Sequence, residues 1–491
     1  MTSSRSGAAI RAELGHPILD ADGHLVEVTT AVLPFLREHM EPSDFQFFVE
    51  HGSPLAAGLR YRSNEERLAS RAPQSAWWGQ HTKNTLDRAT AMFPGLLHQR
   101  LEEVGVDFGV FYTTSAMGFL AIESDSLRQG LCAGWNAFLA AIESPYRDRI
   151  AVAGLIPMHT PEEAIAEMRH CHQLGLRAIA FPEGVLRLIP TPDRTEPSPF
   201  LWPGQTHWFD TFGLDSALDY DPVWAATAEL GYPVVFHGGL GLKPGVWTST
   251  SNYSANHIGL FGQLMNAVCK SLYFGGVTRR FPGHPFVFLE CGVSWGAQML
   301  ADIVEHWHKR RLDSLDAYNP ALLDTDELHA LFDRYGTDLA PHLVGVDLGG
   351  LFKGLATGRA PDQPDDWLAL AADDEESIVD AFVDSFYFGC EADDRGVGAA
   401  FAPTNPRGAV LRPVFSSDIG HWDVTDIGGL VGESRELVED GVITEEQYRL
   451  FTFENTARMY MSANPHFFDG TTVESQVAEL RPDHAGADIT R

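Results

Sequence analysis

Positive charge is what this chain has least of. Across 491 residues, 35 Lys and Arg face 67 Asp and Glu, for a formal net charge of -32. Nucleic acid and anionic membrane surfaces are bound through basic patches, so this balance argues against both as partners. An anionic substrate would need a metal ion or a local Arg to offset the repulsive field. Cysteine is scarce too. Cys132, Cys171, Cys269, Cys291 and Cys390 are scattered, odd in number and never spaced as CxxC. That argues against a disulfide framework or a cysteine-rich zinc site and fits a reducing cytoplasm. No apolar run is long enough to span a bilayer, residues 1–15 lack the apolar core of a signal peptide, and no internal repeat is evident. What remains is ordinary for a soluble globular protein, with 44% hydrophobic and 21% charged residues.

Eight short apolar runs punctuate the chain: Pro17–Asp22, Val106–Tyr112, Ile150–Ile156, Leu176–Phe181, Tyr232–His237, Pro285–Glu290, Ser385–Cys390 and Arg412–Ser416. Continuous rather than alternating hydrophobicity suits strands buried on both faces. Helix-like stretches lie between them, among them Pro161–Gly175, Asp221–Gly231 and Gly296–Arg310. Strand, helix, strand in repetition means parallel pairing, and eight such units predict a closed (β/α)8 barrel. The barrel is expected over residues 16–470, with insertions at 23–100, 182–220 and 311–380 acting as caps or oligomer contacts. Residues 1–15 are expected to be a disordered tail and 471–491 a loosely held one. The apolar insertions at 23–100 and 311–380 have no second core to bury them, which predicts a homodimer.

In such barrels the active site lies where the strands end. The first run closes on Asp20-Ala21-Asp22-Gly23-His24. Asp22 and His24 are two apart, so on an extended chain they face the same way, with Asp20 one layer deeper. The fifth run closes on His237 before Gly238-Gly239, the sixth on Glu290 before Cys291-Gly292, and the eighth on Ser416-Ser417-Asp418, with His421 three residues on. Asp22, His24, His237 and Asp418 are a hard-to-borderline ligand set for one divalent cation, Zn2+ foremost, with Mn2+ or Fe2+ as alternatives. Each residue alone has a blander meaning: an Asp-x-His pair caps loops, a His after Val-Val-Phe is a hydrogen-bonded core residue, and Ser-Ser-Asp is helix-capping chemistry. Their convergence at strand ends carries the metal reading. His257, Arg395 and Trp78 (beside Trp77) are candidates to contact a small-molecule substrate, Arg395 as a receiver of negative charge. A packing role for Trp78 and an exposed charge run around Arg395 are the plainer alternatives.

These residues lie in a wider resemblance running from about Ile18 to Phe468. It includes DADGHLVE, LEEVGVDFGVFY, WNAFLAAIESPYRDRI, AGLIPM, VVFHGG, GGVTRRFPGHPFVFLECGVSW, FSSDIGHWD and FENTARMY. The chain resembles the amidohydrolase-related group that contains aminocarboxymuconate-semialdehyde decarboxylase and the resorcylate-type decarboxylases. The resemblance implies metal ligation by Asp22 and His24, by His237 closing strand five, and by Asp418 closing strand eight. It also implies a carbon–carbon lyase that decarboxylates a small aromatic or unsaturated acid. One departure stands out: the group carries a catalytic His at the end of strand six, where this chain has Glu290. Glu290 is then either an acid/base group or a residue orienting a ligand imidazole. Asp418 and His421 are the other candidates for proton transfer. A hydrolase acting on an amide, ester or activated carbon–carbon bond uses the same ion and is the alternative. A degenerate, non-catalytic scaffold is disfavoured, because every ligand position holds a competent donor.

Overall fold

All eight apolar runs are strands, because they are buried on both faces. The computed structural model describes residues 5–52, 63–74, 83–189, 207–238, 249–356 and 365–481. In chain order the strands are β1 (Leu19–Leu25), β2 (Phe108–Thr113), β3 (Ile150–Leu155), β4 (Ala178–Ala180), β5 (Val185–Leu188), β6 (His207–Asp210), β7 (Val234–Phe236), β8 (Phe286–Phe288), β9 (Phe386–Cys390) and β10 (Arg412–Phe415). Every residue of β1 to β4 and of β7 to β9 is buried. Helices follow the strands, as in Asp125–Glu143, Pro161–Leu174, Asp221–Leu230 and Ser294–Arg310. The second of these is bounded as its sequence dictates, by a Thr160/Glu163 capping box at its start and left-handed Gly175 at its end.

The strands form two four-stranded parallel sheets, β1-β2-β3-β4 and β7-β8-β9-β10, rather than one unbroken eight-stranded ladder. The difference from the expected closed barrel arises at two seams. β4 and β7 are three residues each and meet only through a parallel bridge between Phe181 and Phe236. At the other seam β10 stops before it reaches β1, and the link passes through the backbone beyond it: Asp418 N–H donates to Asp22 O (2.8 Å) and His24 N–H to Ile419 O (2.7 Å).

The 182–220 insertion carries an antiparallel pair, β5 with β6, that hydrophobic patterning does not reveal. The first 15 residues are not all tail. Gly7–Glu13 is a helix capped by Ser6, with Ile10 buried and Arg11 ion-paired to Asp107. After residue 470, Val473 and Val477 are buried, and Thr472 Oγ1 donates to Asp107 O at 2.9 Å. Among the described residues no helix is long and apolar enough to cross a membrane. All five cysteines are free thiols.

One buried carboxylate fastens the seam beneath the strand ends. Asp20, fully buried on β1, accepts from Ser417 N–H (2.9 Å), from Asp22 N–H (3.1 Å) and from the Ser417 hydroxyl. Burial pushes its carboxyl up to about 7 against the pull of these donors. Asp20→Ala would orphan the donors, at about 1–3 kcal/mol each. Denaturant unfolding should therefore show a loss of at least about 2 kcal/mol. A change within about 0.5 kcal/mol, as at a neutral surface site, would remove Asp20 from this role.

Candidate metal centre

The side chains at the strand ends converge on one buried spot. Asp22 and His24 come from β1, His237 follows β7, Glu290 comes two residues after β8, and Asp418 and His421 come from the segment after β10. All six are buried. Local backbone aims them. Glu290 has φ 53 and Asp418 φ 51, left-handed conformations that non-glycine residues seldom adopt, and Gly292 and Gly420 share this region with them. Strain of this kind costs about 1–3 kcal/mol and persists only where the surroundings over-determine it. Gly238 leaves room behind His237, since a Cβ there would lie 2.1 Å from the Phe261 ring.

Donor spacing is that of a coordination shell. His24 Nε2 lies 3.1 Å from His237 Nε2, 3.5 Å from Asp22 Oδ1, 3.2 Å from Glu290 Oε1 and 3.4 Å from Asp418 Oδ1. His237 Nε2 lies 3.4 Å from Asp22 Oδ1 and 3.7 Å from Glu290 Oε1. Bonds of about 2.1 Å in a tetrahedral shell place neighbouring donors about 3.4 Å apart. Both oxygens of Asp22 and Oδ1 of Asp418 are buried without a hydrogen-bond donor, which a cation would satisfy. His237 Nδ1 sits 3.1 Å from Gly238 O, so that nitrogen carries the proton and Nε2 offers its lone pair to the cluster. The residues fit a divalent ion.

The charges respond to one another. Burial opposes ionisation of Asp22, but His237 and His24 beside it hold its pKa below the usual range. Burial pulls His24 down, but Asp22 and Glu290 outweigh it and raise the imidazole to about 9. Burial likewise opposes the charged forms of His237 and Glu290; neighbouring opposite charges raise the one and lower the other well below normal. Asp418 is pushed well up by burial, then by Asp423 and Glu290. His421 is pushed down to about 4 by burial, then by His24. Imidazoles that hold protons against carboxylates form a set in which a metal ion replaces those protons.

The structure places the other candidate residues unevenly about this cluster. Glu290, read as an acid/base or orienting group, belongs to both four-residue groups whose donor atoms cluster: Asp22, His24, His237, Glu290 and His24, Glu290, Asp418, His421. His257 lines a cavity of about 450 Å³ that reaches Glu290, together with Phe261, Cys291, Glu391, Asp393 and Asp394. Arg395 does not line it; its guanidinium pairs with Asp440 at 2.6 Å on the surface, as the plainer alternative of an exposed charge run expects. Trp78 lies outside the described residues. Two neighbours went unread: Tyr112 on β2, whose ring packs 5.1 Å from that of His237, and Thr114, whose Oγ1 is 3.3 Å from His421 Nε2. Both lie at the end of strand two, where the same strand-end rule finds them.

His237→Ala removes a donor at the mouth while the packed interior layers stay intact. The variant should lose its bound cation and its activity together, with a circular dichroism spectrum like that of the wild type. Full activity in this variant would take His237 out of the centre.

The sequence pattern of the amidohydrolase family matches residues 93–338. No curated protein matches the chain. Among solved structures, an amidohydrolase of Mycobacterium avium subsp. paratuberculosis K-10 is 12% identical, with a TM-score of 0.49, over 91% of this chain and 100% of that one. A 2,6-dihydroxybenzoate decarboxylase from Rhizobium is 13% identical, with a TM-score of 0.48, over 91% and 98%. A dihydroxybenzoic acid decarboxylase from Polaromonas sp. JS666, solved with bound manganese and the inhibitor 2-nitroresorcinol, is 13% identical, with a TM-score of 0.47, over 92% and 99%. With the family pattern running over half of its length, the chain belongs to the amidohydrolase family and is an enzyme of that superfamily.

Proposed function

We propose that this enzyme is a metal-dependent carbon–carbon lyase of the aminocarboxymuconate-semialdehyde decarboxylase-like group, releasing CO2 from a small aromatic or unsaturated acid in the cytoplasm. The observation that carries the reading is the buried cluster of Asp22, His24, His237, Glu290, Asp418 and His421, with unsatisfied carboxylate oxygens at its centre. Asp22, His24 and His237, with a carboxylate from Asp418 or Glu290, hold the ion, Zn2+ first and Mn2+ or Fe2+ next. A bound divalent ion supplies Lewis acidity at the reacting group. The chain supplies the proton. His421 Nδ1 and Asp418 Oδ1 lie 2.6 Å apart at a mouth where each side chain is 5% exposed. As the carbon–carbon bond breaks, its electron pair stays on the ring or alkene carbon, a proton from this pair goes to that carbon, and CO2 leaves. The pair then regains a proton from solvent. His257 lines the approach. The two sheets act as one (β/α)8 barrel in this reading, supported by the backbone bonds across both seams.

A specific observation favours hydrolysis as a second reading. The cavity wall carries Glu290, Glu391, Asp393 and Asp394, and no Lys or Arg is among its described residues. Such a wall repels a carboxylate substrate and accepts a neutral amide or ester. A panel of aromatic and unsaturated acids, assayed for CO2 with metal-loaded enzyme, separates the two. Metal-dependent CO2 release is expected; turnover of uncharged amides or esters without CO2 release from any acid would install the hydrolase instead.

A homodimer completes the proposal. Segment 311–356 leaves Leu312, Leu322, Tyr335, Leu339, Val344 and Leu355 more than half exposed, and this density supports the reading. Light scattering should give about twice the 54.0 kDa chain mass. A monomer mass at working concentration would refute it.

A further inference from the structure

We propose that Tyr112 is a positioning residue of the metal centre: its ring, and not its hydroxyl, holds the imidazoles of His24 and His237 at the angle in which both present Nε2 to one point. The proposal rests on the reading of the cluster as a metal centre and adds a residue to it.

The two imidazoles are not held alike. A ligating imidazole is ordinarily fixed by a hydrogen bond from its other ring nitrogen. His237 has one, from Nδ1 to Gly238 O at 3.1 Å. His24 has none: its Nδ1 is buried without a hydrogen-bond partner. Yet His24 Nε2 is the atom around which the donors gather, within 3.5 Å of His237 Nε2, Asp22 Oδ1, Glu290 Oε1 and Asp418 Oδ1. The ring whose orientation matters most is therefore set by packing.

Tyr112 supplies that packing. β1 shifts register between Asp20 and Gly23, and beyond the shift His24 lies opposite Tyr112 on β2. The Tyr112 ring centroid is 6.2 Å from that of His24, at 47°, and 5.1 Å from that of His237, at 34°. The imidazoles meet each other edge to face, 4.9 Å apart at 78°. All three separations fall in the range of about 4.5–7 Å at which aromatic rings attract. Rotation of either imidazole thus meets the same phenol ring. His24 also stacks on His421, 3.5 Å away at 24°, but His421 comes from across the seam, whereas Tyr112 stands on the strand that pairs with β1 directly. The Tyr112 side chain is fully buried, and its hydroxyl has no hydrogen-bond partner. A buried, unpaired hydroxyl stabilises nothing, so the contact belongs to the ring.

The test is binding of Co2+ to the metal-stripped full chain, read by chelator competition and by the visible d–d spectrum. Tyr112→Leu, which removes the ring, should weaken Co2+ by about 10–100-fold and shift the bands. Tyr112→Phe, which keeps the ring, should match wild type in affinity and bands and melt no lower. Phe108→Leu, an equally buried change at the start of the same strand, controls for a loosened barrel and should leave both readings unchanged. If circular dichroism shows Tyr112→Leu unfolded, Tyr112→Met carries the same expectation. Wild-type affinity and bands without the ring would overturn the proposal. So would a Tyr112→Phe variant as impaired as Tyr112→Leu, which would give the role to the hydroxyl, or an equal loss in Phe108→Leu. A wild-type chain that takes up no Co2+ would sink the metal centre itself, a separate failure.

Discussion

The arrangement at the mouth depends on how the segment after the last strand is tied to the first. The two sheets are not continuous there, so nothing in a regular ladder sets the distance between Asp22 and Asp418. Asp20 does so from below, holding Ser417 by its backbone and hydroxyl and Asp22 by its N–H. Asp418 N–H then bonds Asp22 O, and His24 N–H bonds Ile419 O, so residues almost four hundred positions apart share one frame. Burying a carboxylate with both oxygens hydrogen-bonded costs far less than burying a free one. The donors around Asp20 are therefore both its compensation and the means by which the seam is set.

Above this clasp the chain assembles three carboxylates and three imidazoles in one buried cluster. Such a set is costly unless its charges are matched. Part of the match is internal, with imidazoles drawn toward protonation by Asp22 and Glu290. The rest is missing, as the bare oxygens of Asp22 and Asp418 record. A divalent cation would supply it. The same excess of negative charge continues along the cavity wall through Glu391, Asp393 and Asp394, and it bears on which substrates can enter.

Much of this was legible from residue order, and the limits have physical causes. The eight strands show as continuous apolar runs because they are buried on both sides. Asp22, His24, His237 and Asp418 show as the polar residues that close those runs. Glu290 shows in the same way, at the close of the sixth run; what no spacing rule encodes is the left-handed backbone at Glu290 and Asp418 that aims them. Arg395 pairs with Asp440, an acidic partner 45 residues away that no local spacing brings beside it. The Gly7–Glu13 helix is too short to show a period and is held by the distant Asp107. Closure of the barrel was inferred from strand count, but short β4 and β7 and an early end to β10 leave the ladder in two parts.

The account stands or falls on whether the cluster holds a metal ion. Elemental analysis of the chain, purified without added metal and with its fold checked, tests this most directly. One divalent ion per chain is predicted. A content near zero that neither Zn2+ nor Mn2+ restores would contradict it.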